Sequence, residues 1–249
     1  DLARDIARDV DPDAIYQARL GLKRDILSAL EDRLAARYAA IDGALPYVPD
    51  AEGAGRRSLR GVLLDLLSVN RDQRATDRAL QHYRSANNMT DRIAGLAVLA
   101  QIAGDAREEA LDDFAHRYAG DGLVLDKWFA LQASIPEENT LHRVQRLMGH
   151  AGFSMANPNR VRSLIGSFAS GNPTQFNRAD GAGYQFLADV VLELDGRNPR
   201  VAARLLGAFR SWKTLEPARL EKARQALIRI EKAGALSPDV KDLVTRALT

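Results

Sequence analysis

Apolar residues recur at three- and four-residue steps along nearly the whole chain, the spacing that places them on one face of an α-helix. In the first long segment Ile15, Leu20, Leu22, Ile26, Leu27, Leu30, Leu34 and Tyr38 follow that rhythm. Further amphipathic stretches cover about 55–69, 72–84, 90–103, 106–119, 122–134, 138–149, 158–169, 184–194, 199–211, 217–233 and 238–248. Ala, Leu, Arg, Glu and Gln fill their polar faces, and these are good helix formers. The strict alternation of a half-buried strand is essentially missing.

Prolines mark the helix starts. Asp11-Pro12, Asn157-Pro158, Asn172-Pro173, Asn198-Pro199 and Ser237-Pro238 each set a capping side chain before a proline. The side-chain oxygen accepts orphan N–H bonds of the first turn, and proline at the first helical position lacks a donor that has no partner there. Gly104, Gly120, Gly196 and Gly234 are expected to end helices as left-handed caps. Residues 43–55, GALPYVPDAEGAG, read as a surface loop.

Helices of this length with short connections, and no sheet to lie on, must bury their faces against one another. The expected fold is all-α: an α-solenoid of degenerate armadillo- or HEAT-like helix pairs, with 1–249 as a single domain. A compact irregular bundle is the alternative.

Composition narrows the function. The chain of 249 residues is 46% hydrophobic and 27% charged, as in ordinary globular proteins. With 35 Lys plus Arg against 33 Asp plus Glu, it offers little long-range attraction to nucleic acid. There is no cysteine, hence no disulfide framework or thiolate metal site, which is compatible with the expected cytoplasmic location. No apolar run approaches the roughly twenty residues of a membrane span. The charged start, without an initiator Met, gives the expectation of a piece of a longer protein.

Candidate chemistry is sparse. His82, His116, His142 and His150 form no HExxH and no other ligand spacing, so no metal site is expected. Gly152-Phe153-Ser154-Met155-Ala156 imitates a nucleophile elbow but ends in Ala and follows no strand. Asp180-Gly181-Ala182-Gly183-Tyr184 lacks the strand and third glycine of a dinucleotide loop and reads as a chain reversal. The arginines carry more. Arg200 and Arg204 share a helix face, and Arg160 and Arg162 sit in a first turn, where the helix dipole favours anions. The plain reading is a solvated face, paired with acids such as Asp189, Glu193 and Asp195.

Ordered blocks add a family resemblance. NNMTD at 87–91, GLVLDKWF at 122–129, NPNRVRSLIG at 157–166, Asp180-Gly181 with Gly183-Tyr184, and Arg197-Asn198-Pro199 resemble the C-terminal helical domain of bacterial aminopeptidase N. The similarity covers essentially the whole chain. It implies a superhelical α domain over the mouth of a thermolysin-like catalytic domain, which is the expected partner within the same polypeptide. The zinc, its HExxH ligands and the GAMEN segment would lie upstream, so this chain alone is expected to be inactive and to hold no cofactor.

The resemblance further implies that the domain encloses the cavity above the zinc, admitting peptide substrates. By position in the matched blocks, Arg162, Arg200 and Arg204 are expected to face that cavity. The family carries glutamine where Arg200 stands, a departure that shifts the expected preference towards carboxylate-bearing groups. Two other readings stay open. One is a free-standing helical-repeat scaffold with a concave groove for a peptide or protein. The other, the weakest, is nucleic-acid binding through the basic stretch 197–213.

Overall fold

The computed structural model describes residues 5–41, 43 and 45–249. Among them are helices and no strands; one isolated parallel bridge joins Val10 and Leu215. The helices are α1 (Pro12–Ala40), α2 (Ala51–Leu67), α3 (Gln73–Ser85), α4 (Met89–Leu99), α5 (Asp105–Arg117), α6 (Gly122–Ala133) and α7 (Thr140–Met148). Then come α8 (Pro158–Val161), a π-helical turn (Arg162–Gly166), α9 (Ser167–Gly171), α10 (Pro173–Phe176) and α11 (Ala182–Asp195). Helix α12 (Pro199–Leu205) leads through two short 3-10 turns to α13 (Pro217–Glu231) and α14 (Pro238–Leu248).

The chain divides into two compact units, one of residues 17–118 and one of residues 1–16 with 119–249. In the first, α3 packs on α4, α4 on α2 and α5, and the buried Leu64, Leu96, Leu99 and Phe114 fill the space between them. In the second, α6 packs on α7 and on the π turn, and α11 on α12 and α13. Its centre is a chain of edge-to-face rings: Phe168 against Phe186 and Phe176, and Phe176 against Tyr184 and Phe209. Such geometry sets the positive edge of one ring on the negative face of the next.

Each Pro-marked start is realised. Asn157, Asn172, Asn198 and Ser237 accept first-turn N–H groups with their side chains, and Asp11 does the same for Asp13 and Ala14. Glu216 before Pro217 is a sixth case, with a longer side chain bent back to Ala218 and Arg219. The segment 43–55 is shorter as a loop than expected, because Asp50 caps a helix that already begins at Ala51.

The glycine stops are a correction. Gly196 ends α11 with φ −69°, in right-handed conformation, and neither Gly120 nor Gly234 has positive φ. Gly104 has φ 140°, outside the left-handed helical region, and precedes α5. Helices α4, α11 and α13 close instead on tightened last turns, with Ile102 N–H to Leu99 O at 2.9 Å, Arg197 N–H to Leu194 O at 2.9 Å and Ala233 N–H to Ile230 O at 3.0 Å, which satisfy terminal carbonyls without a left-handed residue. The left-handed glycine is Gly181, φ 77°, at the start of α11. Two residues on, Gly183 meets the chain so closely that a Cβ would lie 2.2 Å from Phe176 O.

That contact gives a direct test. Gly183→Ala must push the 176 carbonyl away and should lower unfolding free energy by about 3 kcal/mol. Gly196→Ala, with open space around the Cβ, should stay within about 0.5 kcal/mol. Urea unfolding of both variants measures the difference.

Candidate functional site

Arg160 and Arg162, two residues apart, point to opposite sides of one helix. Arg160 is buried: its Nε donates to Gly152 O at 2.7 Å, its Nη1 to Gly122 O at 2.9 Å and to Asp126, and its guanidinium lies over the Phe129 ring. Arg162 is exposed. It opens the π turn, in which Ser167 N–H reaches back five residues to Arg162 O. Single wide turns of this kind are rare and are frequent at functional positions.

The π turn and α9 face α12 across a groove of about 500 Å³. Arg162 and Arg204 line it, with Asn159, Ser167 and Ser170 as further polar groups and Val201 and Leu205 as apolar lining. No carboxylate and no aromatic ring stands among its lining residues. Arg200 is exposed on α12 but is not part of the groove. The structure therefore brings together two of the three arginines expected to face the cavity.

The acids expected to neutralise this face are engaged elsewhere. Asp189 holds Arg229, Glu193 holds Arg197 at 3.7 Å, and Asp195 accepts from the Ser237 hydroxyl and from its N–H at 2.8 Å. Among the described residues, no carboxylate is paired with Arg162, Arg200 or Arg204, whereas Arg178 and Arg219 in the same unit are paired. Both groove arginines are thus uncompensated cations.

The other polar concentration lies in the 17–118 unit. Tyr38 Oη and His82 Nδ1 are hydrogen-bonded at 2.8 Å, His82 Nε2 lies 3.7 Å from Asp91 Oδ1, and Arg60 Nη1 lies 3.4 Å from Asp91 Oδ2. Burial, reinforced by the Arg60 charge and opposed by Asp91, lowers the His82 pKa to about 4. His82 is therefore neutral near pH 7, and its approach to Asp91 is not an ion pair there. The adjoining cavity of about 20 Å³ has room for one water and not for a peptide. This cluster is a buried polar core, not a substrate site.

Among the described residues no three His, Cys, Asp or Glu could hold a metal ion together, and no helix is long and apolar enough to cross a membrane. Ser154 caps its own turn, with its Oγ accepting from Ala156 N–H at 3.2 Å.

Comparison with known proteins places this geometry. A family model described as "Domain of unknown function (DUF3458_C) ARM repeats" matches residues 1–249. The chain belongs to that family. Its armadillo-repeat description agrees with the all-α, solenoid-like helix stacking. The chain is 39% identical to Caulobacter vibrioides aminopeptidase N over 96% of its length and 28% of the relative's. It is 37% identical to aminopeptidase N of Escherichia coli K12 over 96% of its length and 27% of that protein. A crystal structure of Legionella pneumophila aminopeptidase A in complex with aspartic acid superposes with a TM-score of 0.88, at 27% identity, over 97% of this chain and 29% of that one. The chain thus spans little more than a quarter of its relatives, and it matches the C-terminal part of aminopeptidase N.

Sequence reasoning missed the π turn and the groove hydroxyls. A helical pattern at 158–169 carries no mark of one extra residue in a turn, although Gly166, whose Cβ would be 3.6 Å from Arg162 Cγ, stands at the spot.

Two measurements test these assignments. Arg160→Met should cost about 3–5 kcal/mol in urea unfolding, because it strands Asp126 and two carbonyls. For His82, the folded pKa lies below the unfolded value of about 6.5, so the unfolded chain takes up the proton first. The His82 contribution to stability should be constant above pH 6.5, fall by about 3 kcal/mol between pH 6.5 and 4, and level off below. His82→Phe should remove that slope, and imidazole NMR signals should show a neutral ring at pH 5.

Proposed function

We propose that this chain is the non-catalytic C-terminal domain of a zinc-dependent aminopeptidase, which removes N-terminal residues from peptides. In this reading the whole of 1–249 serves as one domain that encloses the active-site cavity and controls peptide access. The observation that carries it is the match of 96% of this chain to little more than a quarter of aminopeptidase N. The sequence holds no HExxH, so the zinc and the bond-breaking groups belong to the upstream part of the polypeptide, which is the partner of this domain.

The groove supports an access role. Arg162 and Arg204 are exposed, uncompensated and side by side on one unit. Cations held without acids attract the anionic or carbonyl parts of a peptide. Arg200 stands just outside and adds to the local field without lining the groove.

The test is reconstitution. The chain, its upstream catalytic segment and their mixture are assayed with an alanine arylamide and with alanine peptides of increasing length, with zinc analysis of each. The chain alone should be inert and zinc-free, and its addition should change the rate or the length preference of the upstream segment. Metal-dependent cleavage by the chain alone, or a mixture indistinguishable from the upstream segment, would reject the reading.

A further inference from the structure

We propose that the small cavity where residues 45–48 meet α2 and the start of α4 binds one monovalent anion of the halide class, chloride in solution, held by Arg57 and Arg60. The site lies wholly within the 17–118 unit and rests on no part of the access reading.

Charge points to an anion. The cavity is lined by Arg56, Arg57 and Arg60 and, of the acids, by Asp91, so among the described lining residues positive charge exceeds negative by two. Asp91 is paired with Arg60 at 3.4 Å, and among the described residues no carboxylate is paired with Arg56 or Arg57. That acid is already shared, because its Oδ2 also accepts from Asn88 Nδ2 at 2.9 Å and its Oδ1 faces His82 Nε2 at 3.7 Å.

Hydrogen bonding points the same way. Arg60 is only 8% exposed, yet its Nε and Nη1 have no hydrogen-bond partner, and neither has the buried Arg57 Nε. Buried N–H groups of a cation are costly to leave unmatched. A chloride accepts from several N–H groups at once and brings the compensating charge. Water would also accept, but its own hydrogens need acceptors, and nearby ones are taken: Asn88 Oδ1 by Asp91 N–H, Leu45 O by Asn87 and Val48 O by Arg57.

The donors are fixed in place. The Arg57 guanidinium lies over the Tyr47 ring and donates to Val48 O at 3.2 Å, and that of Arg60 lies over the Tyr38 ring. Gly53 lets the backbone close on this arrangement, since a Cβ there would lie 2.9 Å from Arg57 Nη1 and from Val48 O. The volume of about 20 Å³ admits one water-sized occupant and excludes carboxylates and phosphates.

The melting temperature of the chain, measured in sodium chloride and in sodium gluconate at equal ionic strength, tests this with screening held constant. Replacing gluconate by about 100 mM chloride should raise it by about 3 °C, the shift of a site roughly nine-tenths filled. Arg57→Gln leaves the Arg60–Asp91 pair in place and should abolish the shift while still unfolding cooperatively. Arg200→Gln, on the other unit, should keep it. In crystals grown with bromide, an anomalous scattering peak should stand in contact with Arg57 Nε and Arg60 Nη1. Equal melting temperatures in the two salts, a shift that survives Arg57→Gln, or a water without anomalous signal at that place would overturn the site.

Discussion

Arg160 is the residue on which the geometry of the groove depends. Its guanidinium bonds the Gly152 loop carbonyl and, on α6, the Gly122 carbonyl and Asp126, while lying on the face of Phe129. That set of contacts ties the loop before α8 to α6, and it fixes the rotation of the α8 helix about its axis. A helix rotation fixed at Arg160 leaves Arg162, two residues on, with no direction but outward. Burying one arginine thereby exposes the next. The buried cation is matched by an acid and by carbonyl dipoles; the exposed one needs neither, because water solvates it.

The same division runs through the rest of the unit. Arg219 is buried and bonded to Asn177 O, Asp11, Asp13 and Glu216, so it joins the start of α1 to the start of α13. Arg178 holds Asp180 beside the reversal that leads into α11. These arginines hold chain segments in place. The groove pair lacks such partners and shares one cleft, and this is the physical sense in which Arg162 and Arg204 form a site.

The two units also differ in how they bury polarity. In the 17–118 unit, Tyr38, His82, Asp91 and Arg60 form one enclosed cluster, and burial holds His82 in its neutral state there. The other unit centres on aromatic rings and sets buried charges one by one against fixed partners, Arg160 against Asp126, Arg219 against Asp13 and Asp195 against Ser237. In this second unit the cleft of about 500 Å³ lies between the unpaired Arg162 and Arg204, and the functional reading rests there.

The sequence by itself determined the helices and where most of them start. Periodicity is a local property, and an Asn, Asp or Ser before proline satisfies its own first turn, so Asn157, Asn172, Asn198 and Ser237 could be read without knowing any neighbour. The ordered blocks also determined the family, since NPNRVRSLIG and its companions carry more information than any single spacing. Tertiary structure alone decided the rest. Helix ends at Gly104 and Gly196 went against local grammar because tightened last turns served the same carbonyls. Whether Arg162 and Arg204 would be neutralised depended on where Asp189, Glu193 and Asp195 found partners, some 40 residues away for two of them. Pairing across that distance is set by packing, and so is the π turn that no pattern of apolar residues records.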